Sequence, residues 1–139
     1  MAACVVDASV TLAWVFDEGG RGPALDRQIG ELHLVAPWLW RLEVVNAILV
    51  RERRHEMSEA QASLLLLALE SLEIEIVGEP VPRSLGSLAQ TARPYQLTAY
   101  DAVYLDLAVS LGLPLLCDDG NLRSAAERVG VSLIESARG

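Results

Sequence analysis

Lysine is absent from this 139-residue chain: all eleven basic residues are arginine, set against nineteen acids, for a formal charge of −8. A basic coat for nucleic acid is thereby excluded, and polyanions are repelled on average. A nucleic acid could engage only locally, where cations offset the acids. Cysteine is almost as scarce, with only Cys4 and Cys117. No disulfide framework can form, and a reducing cytoplasm is the expected compartment. Long apolar runs are missing too. The run over residues 64–69 is far short of the roughly 18 residues that suggest a membrane span. At the N-terminus, Asp7 interrupts Cys4-Val5-Val6 with no basic stretch before it. Neither a signal peptide nor a membrane association is expected.

What is present suits one globular domain over residues 1–139. Hydrophobic residues make up 52% and charged residues 22%, and the mean hydropathy is +0.31. A domain of this length buries roughly two-thirds of the surface its unfolded chain exposes. Short β-rich runs alternate with helical patterns along the chain. Strands are predicted over residues 3–6, 34–36, 73–77, 114–117 and 131–134. Helices are predicted over 9–16, 24–29, 38–54, 83–92, 99–111 and 121–129. One more helix opens at Ser58 with Gln61 in a capping-box pattern and runs to about 72. Strands without apolar–polar alternation imply a parallel sheet covered by helices on both faces. The predicted fold is a three-layer α/β/α domain with a central, mainly parallel sheet.

The informative residues are acids set in apolar sequence. Asp7 ends the first strand, Glu43 lies in the helix 38–54, Asp101 opens the helix 99–111, and Asp118 and Asp119 follow the strand 114–117. In an open parallel sheet, ligands bind beyond the carboxyl ends of the strands. Crossover helices run antiparallel to those strands, so their N-termini lie at the same edge. Asp7, Glu43, Asp101 and Asp119 can therefore reach one cleft. Ordinary capping is an equal reading for some of them. Asp7 or Ser9 suits a helix cap, Asp101 stands three residues after Thr98, and either Asp118 or Asp119 suits the helix 121–129. For Asp118, a cap or plain exposure is the favoured reading. Glu43 is harder to explain that way, because an unpaired buried carboxylate is costly and Arg41 lies on another helix face.

Converging carboxylates repel one another, and a divalent cation resolves that repulsion. Hard oxygen donors, without His or Cys at zinc spacing, select Mg²⁺ or Mn²⁺. Such an ion lowers the pKa of bound water and screens a phosphodiester, which makes phosphodiester hydrolysis the natural chemistry. An aspartyl-phosphate phosphatase would want a second aspartate at position 9 and a lysine near the phosphate. Ser9 stands there, and the chain has no lysine.

Val5-Val6-Asp7-Ala8-Ser9, then Glu43 with Asn46, Tyr100-Asp101-Ala102-Val103-Tyr104 and Cys117-Asp118-Asp119 resemble, in that order, the PIN-domain family. Length and motif order are similar to the VapC-type toxins of toxin–antitoxin pairs. The resemblance covers essentially the whole chain and implies a Mg²⁺- or Mn²⁺-dependent endoribonuclease. It carries the metal-binding roles to Asp7, Asp101 and Asp119, and to Glu43 a metal-binding or water-positioning role. Ser9 would steady Asp7 or a phosphate, and Asn46 would support the acids from the Glu43 helix. The last motif of the family usually reads Thr-x-Asp. Here Cys117 replaces the threonine, and its weakly donating thiol predicts a looser Asp119. The resemblance further implies an RNA substrate, a homodimer and a VapB-type antitoxin whose C-terminal segment covers the cleft. A catalytically inactive PIN-like binding module is the alternative. Trp14, Trp38 and Trp40 are candidate interface anchors or core. Arg51, Arg53, Arg54 and His55 complement a helix dipole or contact RNA or a second copy.

Overall fold

A computed structural model of the chain describes residues 1–78 and 84–139. The strands are β1 (Ala2–Val6), β2 (Leu32–Pro37), β3 (Glu75–Val77), β4 (Leu115–Leu116) and β5 (Leu133–Ile134). The helices are α1 (Ala8–Val15), α2 (Gly22–Gly30), α3 (Leu39–Arg53), α4 (Glu59–Glu70), α5 (Leu85–Ala92), α6 (Ala99–Leu111) and α7 (Gly120–Val129). All four strand pairings are parallel, and the strand order is β3-β2-β1-β4-β5. The chain thus builds outward from β1 on one side, then crosses back to build β4 and β5 on the other. Helices α1 to α4 pack with one another, as do α5 to α7, giving the expected three layers.

β1 is central, and Cys4, Val5 and Val6 are all fully buried. Both faces of the strand are covered, so its side chains have no polar face to alternate with. Its register aligns Val5 with Val35 on one side and with Leu115 on the other. The point where the connections reverse direction lies between β1 and β4. In open parallel sheets this is the place, beyond the carboxyl ends of both strands, where ligands bind.

Local chemistry sets the helix ends. Ser58 and Gln61 form the reciprocal capping box expected at the start of α4. Thr98 accepts the Asp101 N–H at 3.1 Å to open α6. That helix closes at Gly112 in the left-handed region at φ 64°, where a side chain would be strained. The stretch before α2 contains a 3-10 turn over Glu18–Gly20. α5 does not stop dead at Pro94: a second 3-10 turn, Arg93–Tyr95, carries the chain on to Gln96. Proline lacks the N–H a continuing α-helix would use but tolerates the first position of a new turn. Of the predicted helix 83–92, position 83 lies outside the described residues, and Ser84 caps α5.

Trp40 is buried, Trp14 packs half-buried against the core, and Trp38 is 57% exposed. Arg51 lies over the Phe16 ring, 3.6 Å from its centroid, so this cation binds an aromatic face of its own chain. Among the described residues, no helix is long and apolar enough to cross a membrane. A buried polar pair joins α1 to α3: Thr11 Oγ1 accepts the Trp40 indole N–H at 3.0 Å and donates to the Ala8 carbonyl at 3.0 Å. Thr11→Val keeps the shape but leaves the indole N–H unpaired. It should destabilise the protein by about 1–3 kcal/mol in urea unfolding.

Candidate active site

Asp7 follows the last residue of β1 and caps α1, only 4% exposed. Its backbone N–H donates to the Leu116 carbonyl at 3.2 Å, tying it to β4. Its Oδ1 accepts the Ser9 hydroxyl at 2.7 Å and, more weakly, the Val10 N–H at 3.4 Å. The Ser9 oxygen in turn accepts the Asp118 N–H at 3.0 Å. One hydroxyl therefore links the carboxyl ends of β1 and β4 across the switch point.

Asp101 is in the first turn of α6, and Asp119 caps α7 by accepting the Leu122 N–H at 2.9 Å. Glu43, on α3, accepts the Tyr104 hydroxyl at 2.7 Å. These side chains share one electrostatic neighbourhood centred on Asp101. Burial pushes the Asp7 carboxyl up from 3.8 to about 7, the Asp101 and Asp118 charges add to this, and the Ser9 and Val10 hydrogen bonds oppose it. Burial also raises the Glu43 carboxyl, with Tyr104 opposing and the Asp101 charge reinforcing. Asp101 is raised by burial and then by the charge of Asp119, against its contact with Thr98. Charge effects thus link Asp101 to Asp7, to Glu43 and to Asp119.

These acids do not form a ready-made cage. Among the described residues, no three His, Cys, Asp or Glu side chains stand close enough to enclose an ion. Their carboxylates nevertheless offer the hard oxygen donors that a divalent cation such as Mg²⁺ takes, with waters completing its shell. These carboxyls, raised first by burial and further by one another's charge, are the groups a cation would relieve.

One expectation is corrected. Asp118 neither caps α7 nor stands free in solvent. Arg21 Nη1 donates to its Oδ2 at 3.0 Å, and the Ser136 hydroxyl donates to its Oδ1. Burial pushes this carboxyl up, but those hydrogen bonds and the Arg21 charge outweigh it and hold it below its ordinary value. Cys117, which stands where the family has threonine, does not reach the Asp119 carboxylate. The thiol contacts the Asp119 carbonyl at 4.0 Å, while the carboxylate is oriented by the α7 backbone. Burial, followed by the Asp7 charge, raises the Cys117 thiol far above its ordinary value, so it carries no nucleophilic thiolate. Asn46 stands exposed beside Glu43 on the wall of a groove that also includes Trp38, Leu42, Val45, Leu49 and Tyr100. Among the described residues it makes no hydrogen bond to an acid.

Two residues of this neighbourhood were not singled out from the sequence. Tyr104 carried a signal, since a fully buried tyrosine needs a partner for its hydroxyl. Arg21 carried none, for its partner Asp118 is 97 positions away.

A family model for the PIN domain matches residues 4–128. The chain belongs to the PIN-domain family. It is 32% identical over 126 residues to Ribonuclease VapC1 of Mycobacterium tuberculosis, covering 90% of this chain and 92% of that protein, in both the CDC 1551 / Oshkosh and H37Rv strains. Among solved structures it is similar to PAE2754 from Pyrobaculum aerophilum, with a TM-score of 0.67 and 26% identity, covering 95% of this chain and 83% of that one. FitAcB from Neisseria gonorrhoeae shares the fold, with a TM-score of 0.59 at 15% identity and coverage of 96% and 97%. This PIN domain is thus of the VapC type, as its motifs implied.

The raised carboxyls set the pH dependence of the metal-free PIN domain. The folded chain keeps a proton on Asp7 that the unfolded chain has already lost, so stability is fully present below about pH 4 and falls as pH rises through about 7. Glu43 and Asp101 act in the same direction, while the contribution of Asp118 is lost only at lower pH. In EDTA, Asp7→Asn should flatten this decline and raise the unfolding temperature at pH 8 by about 3–5 °C. Thermal unfolding from pH 5 to 8 checks this, and a variant that tracks the wild type would locate the buried charge elsewhere.

Proposed function

We propose that the protein is a Mg²⁺- or Mn²⁺-dependent endoribonuclease, the toxin of a type II toxin–antitoxin pair held in check by a VapB-type antitoxin in the cytoplasm. The observation that carries this reading is the convergence of Asp7, Glu43 and Asp119 on Asp101 at the switch point of a parallel sheet. RNA as the substrate is supported by the likeness to Ribonuclease VapC1.

In this reading Asp7, Asp101 and Asp119 hold the cation, and Glu43 either shares it or positions the attacking water. When bound, the cation activates water and screens the phosphodiester charge. The protein's own groups do the rest. Ser9 fixes the Asp7 carboxylate and, through the Asp118 N–H, the turn that presents Asp119. Tyr104 occupies Glu43 Oε1, leaving Oε2 to orient the water and take its proton as the phosphorus–oxygen bond to the leaving ribose breaks. Helix N-termini at α1, α6 and α7 direct positive dipole ends at this edge, which favours a phosphate there.

A protein partner over the groove wall is supported by the outer face of α3. Trp38, Leu42, Val45 and Leu49 are all exposed there, at spacings of four, three and four. That apolar stripe suits another helix, from the antitoxin or from a second copy in a homodimer.

Cleavage of end-labelled transfer, ribosomal and messenger RNA by partner-free protein tests the reading. Cutting should require Mg²⁺ or Mn²⁺ and stop in EDTA. Asp101→Asn should lower it by more than the roughly 10–100-fold typical when a group supporting a metal ligand is removed. Failure of folded, metal-loaded protein to cut any of these RNAs would favour a binding module instead. Tyr104→Phe should cost roughly 10-fold. Losing the hydroxyl that opposes the rise of Glu43 should also move the acid limb of the pH–rate profile to higher pH.

A further inference from the structure

Arg21 joins neither the cleft nor the hydrophobic core, yet its side chain is only 12% exposed. It lies between the 3-10 turn Glu18–Gly20 and α2. Its guanidinium donates through Nε to the Ala137 carbonyl at 3.0 Å, through Nη1 to Asp118 Oδ2 at 3.0 Å, and through Nη2 to Ser136 Oγ at 2.8 Å. Ser136 closes the ring by donating to Asp118 Oδ1. Both Asp118 oxygens are therefore engaged, and the segment after β5 is drawn to the end of β4. Gln28 of α2 secures the same segment, donating to the Glu135 carbonyl and accepting the Ala137 N–H, at 2.8 and 2.7 Å.

Asp118 stands between two of the site's acids. Its neighbour is Asp119, and its N–H reaches Ser9 Oγ, which donates to Asp7. Without Arg21 it would be a fifth carboxylate at an edge where four already repel. A hard cation accepts whatever anionic oxygens can reach it, and a larger ion such as Ca²⁺ accepts more of them than Mg²⁺ does. An unrestrained Asp118 would thus change both the strength and the selectivity of the site.

We propose that Arg21 is a positioning residue for the acidic cleft: by pinning and neutralising Asp118 against the segment after β5, it withholds a fifth carboxylate from the cation and sets the turn that presents Asp119. This rests on the reading of the cleft as a divalent-cation site. The restraint acts through an ion pair, so its two partners should have opposite and mutually cancelling effects.

The test is Mn²⁺ binding by the full-length protein, measured calorimetrically without RNA, with Mg²⁺ and Ca²⁺ as competitors. Arg21→Gln leaves Asp118 uncompensated and should tighten Mn²⁺ binding about threefold or more, with Ca²⁺ gaining on Mg²⁺. Asp118→Asn leaves the arginine uncompensated and should weaken binding about threefold. The double variant should return affinity and ion preference to those of the wild type. A merely structural Arg21 predicts lower stability with ion preference unchanged and no rescue by Asp118→Asn, which overturns the proposal. If Arg21→Gln does not fold, Asp118→Asn alone decides, and wild-type affinity in that variant overturns the proposal. A wild-type protein that binds no Mn²⁺ overturns the cation-site reading itself. Wild-type binding that neither variant shifts overturns only the role of Arg21.

Discussion

Everything at the functional edge depends on burying the Asp7 carboxylate where β1 ends and α1 begins. Its position is dictated by the sheet: β1 is the central strand, its neighbours on both sides are in register with it, and the Asp7 N–H continues the bonding to β4. A carboxylate in that place is poorly solvated, and burial alone raises it toward neutrality. The surrounding structure answers with the Ser9 hydroxyl and the Val10 N–H of α1. These offset only part of the cost. What is left over is a site whose charge a cation can relieve, built into the junction on which the sheet is organised.

Helix capping, which competes with metal binding as an explanation when each acid is taken by itself, does not preclude it here. Asp7 and Asp119 are both N-caps, and each cap uses Oδ1. Asp101 follows a threonine cap in the first turn of α6. The helix ends supply positive partial charge that makes a cluster of acids tolerable before any cation arrives. They also fix the Asp7 and Asp119 side chains at the starts of α1 and α7. A capping hydrogen bond engages one oxygen and leaves the other for a ligand.

The arginines show a second economy of charge. In a chain of net charge −8 with no lysine, Arg21 and Arg123 are used internally. Arg123 donates to the Cys117 carbonyl at 3.1 Å and pairs with Glu135, while Arg21 holds Asp118 and the segment after β5. Both brace the segment between β4 and α7. That segment, residues 117–119, carries the acids that must be told apart. Asp118 and Asp119 are chemically identical neighbours, yet one is consumed by an ion pair and the other faces the cleft group of acids.

The sequence by itself determined the layer architecture, the positions of nearly all elements and the identity of the acids that meet. These follow from local causes: apolar periodicity, cap residues such as Ser58 and Thr98, the stop at Gly112, and the rule that strand ends and crossover-helix starts share an edge. The VapC-type motifs were legible for the same reason, since each sits at such an end. Only the tertiary structure decided what holds Asp118, what orients Glu43, and how Asp7 is fixed. Tyr104 lies 61 positions from Glu43, Ser9 lies 109 from Asp118, and Arg21 lies 97 from Asp118. Hydrogen bonds and ion pairs act over a few ångströms of space, and no spacing along the chain records which distant groups folding will bring within that reach.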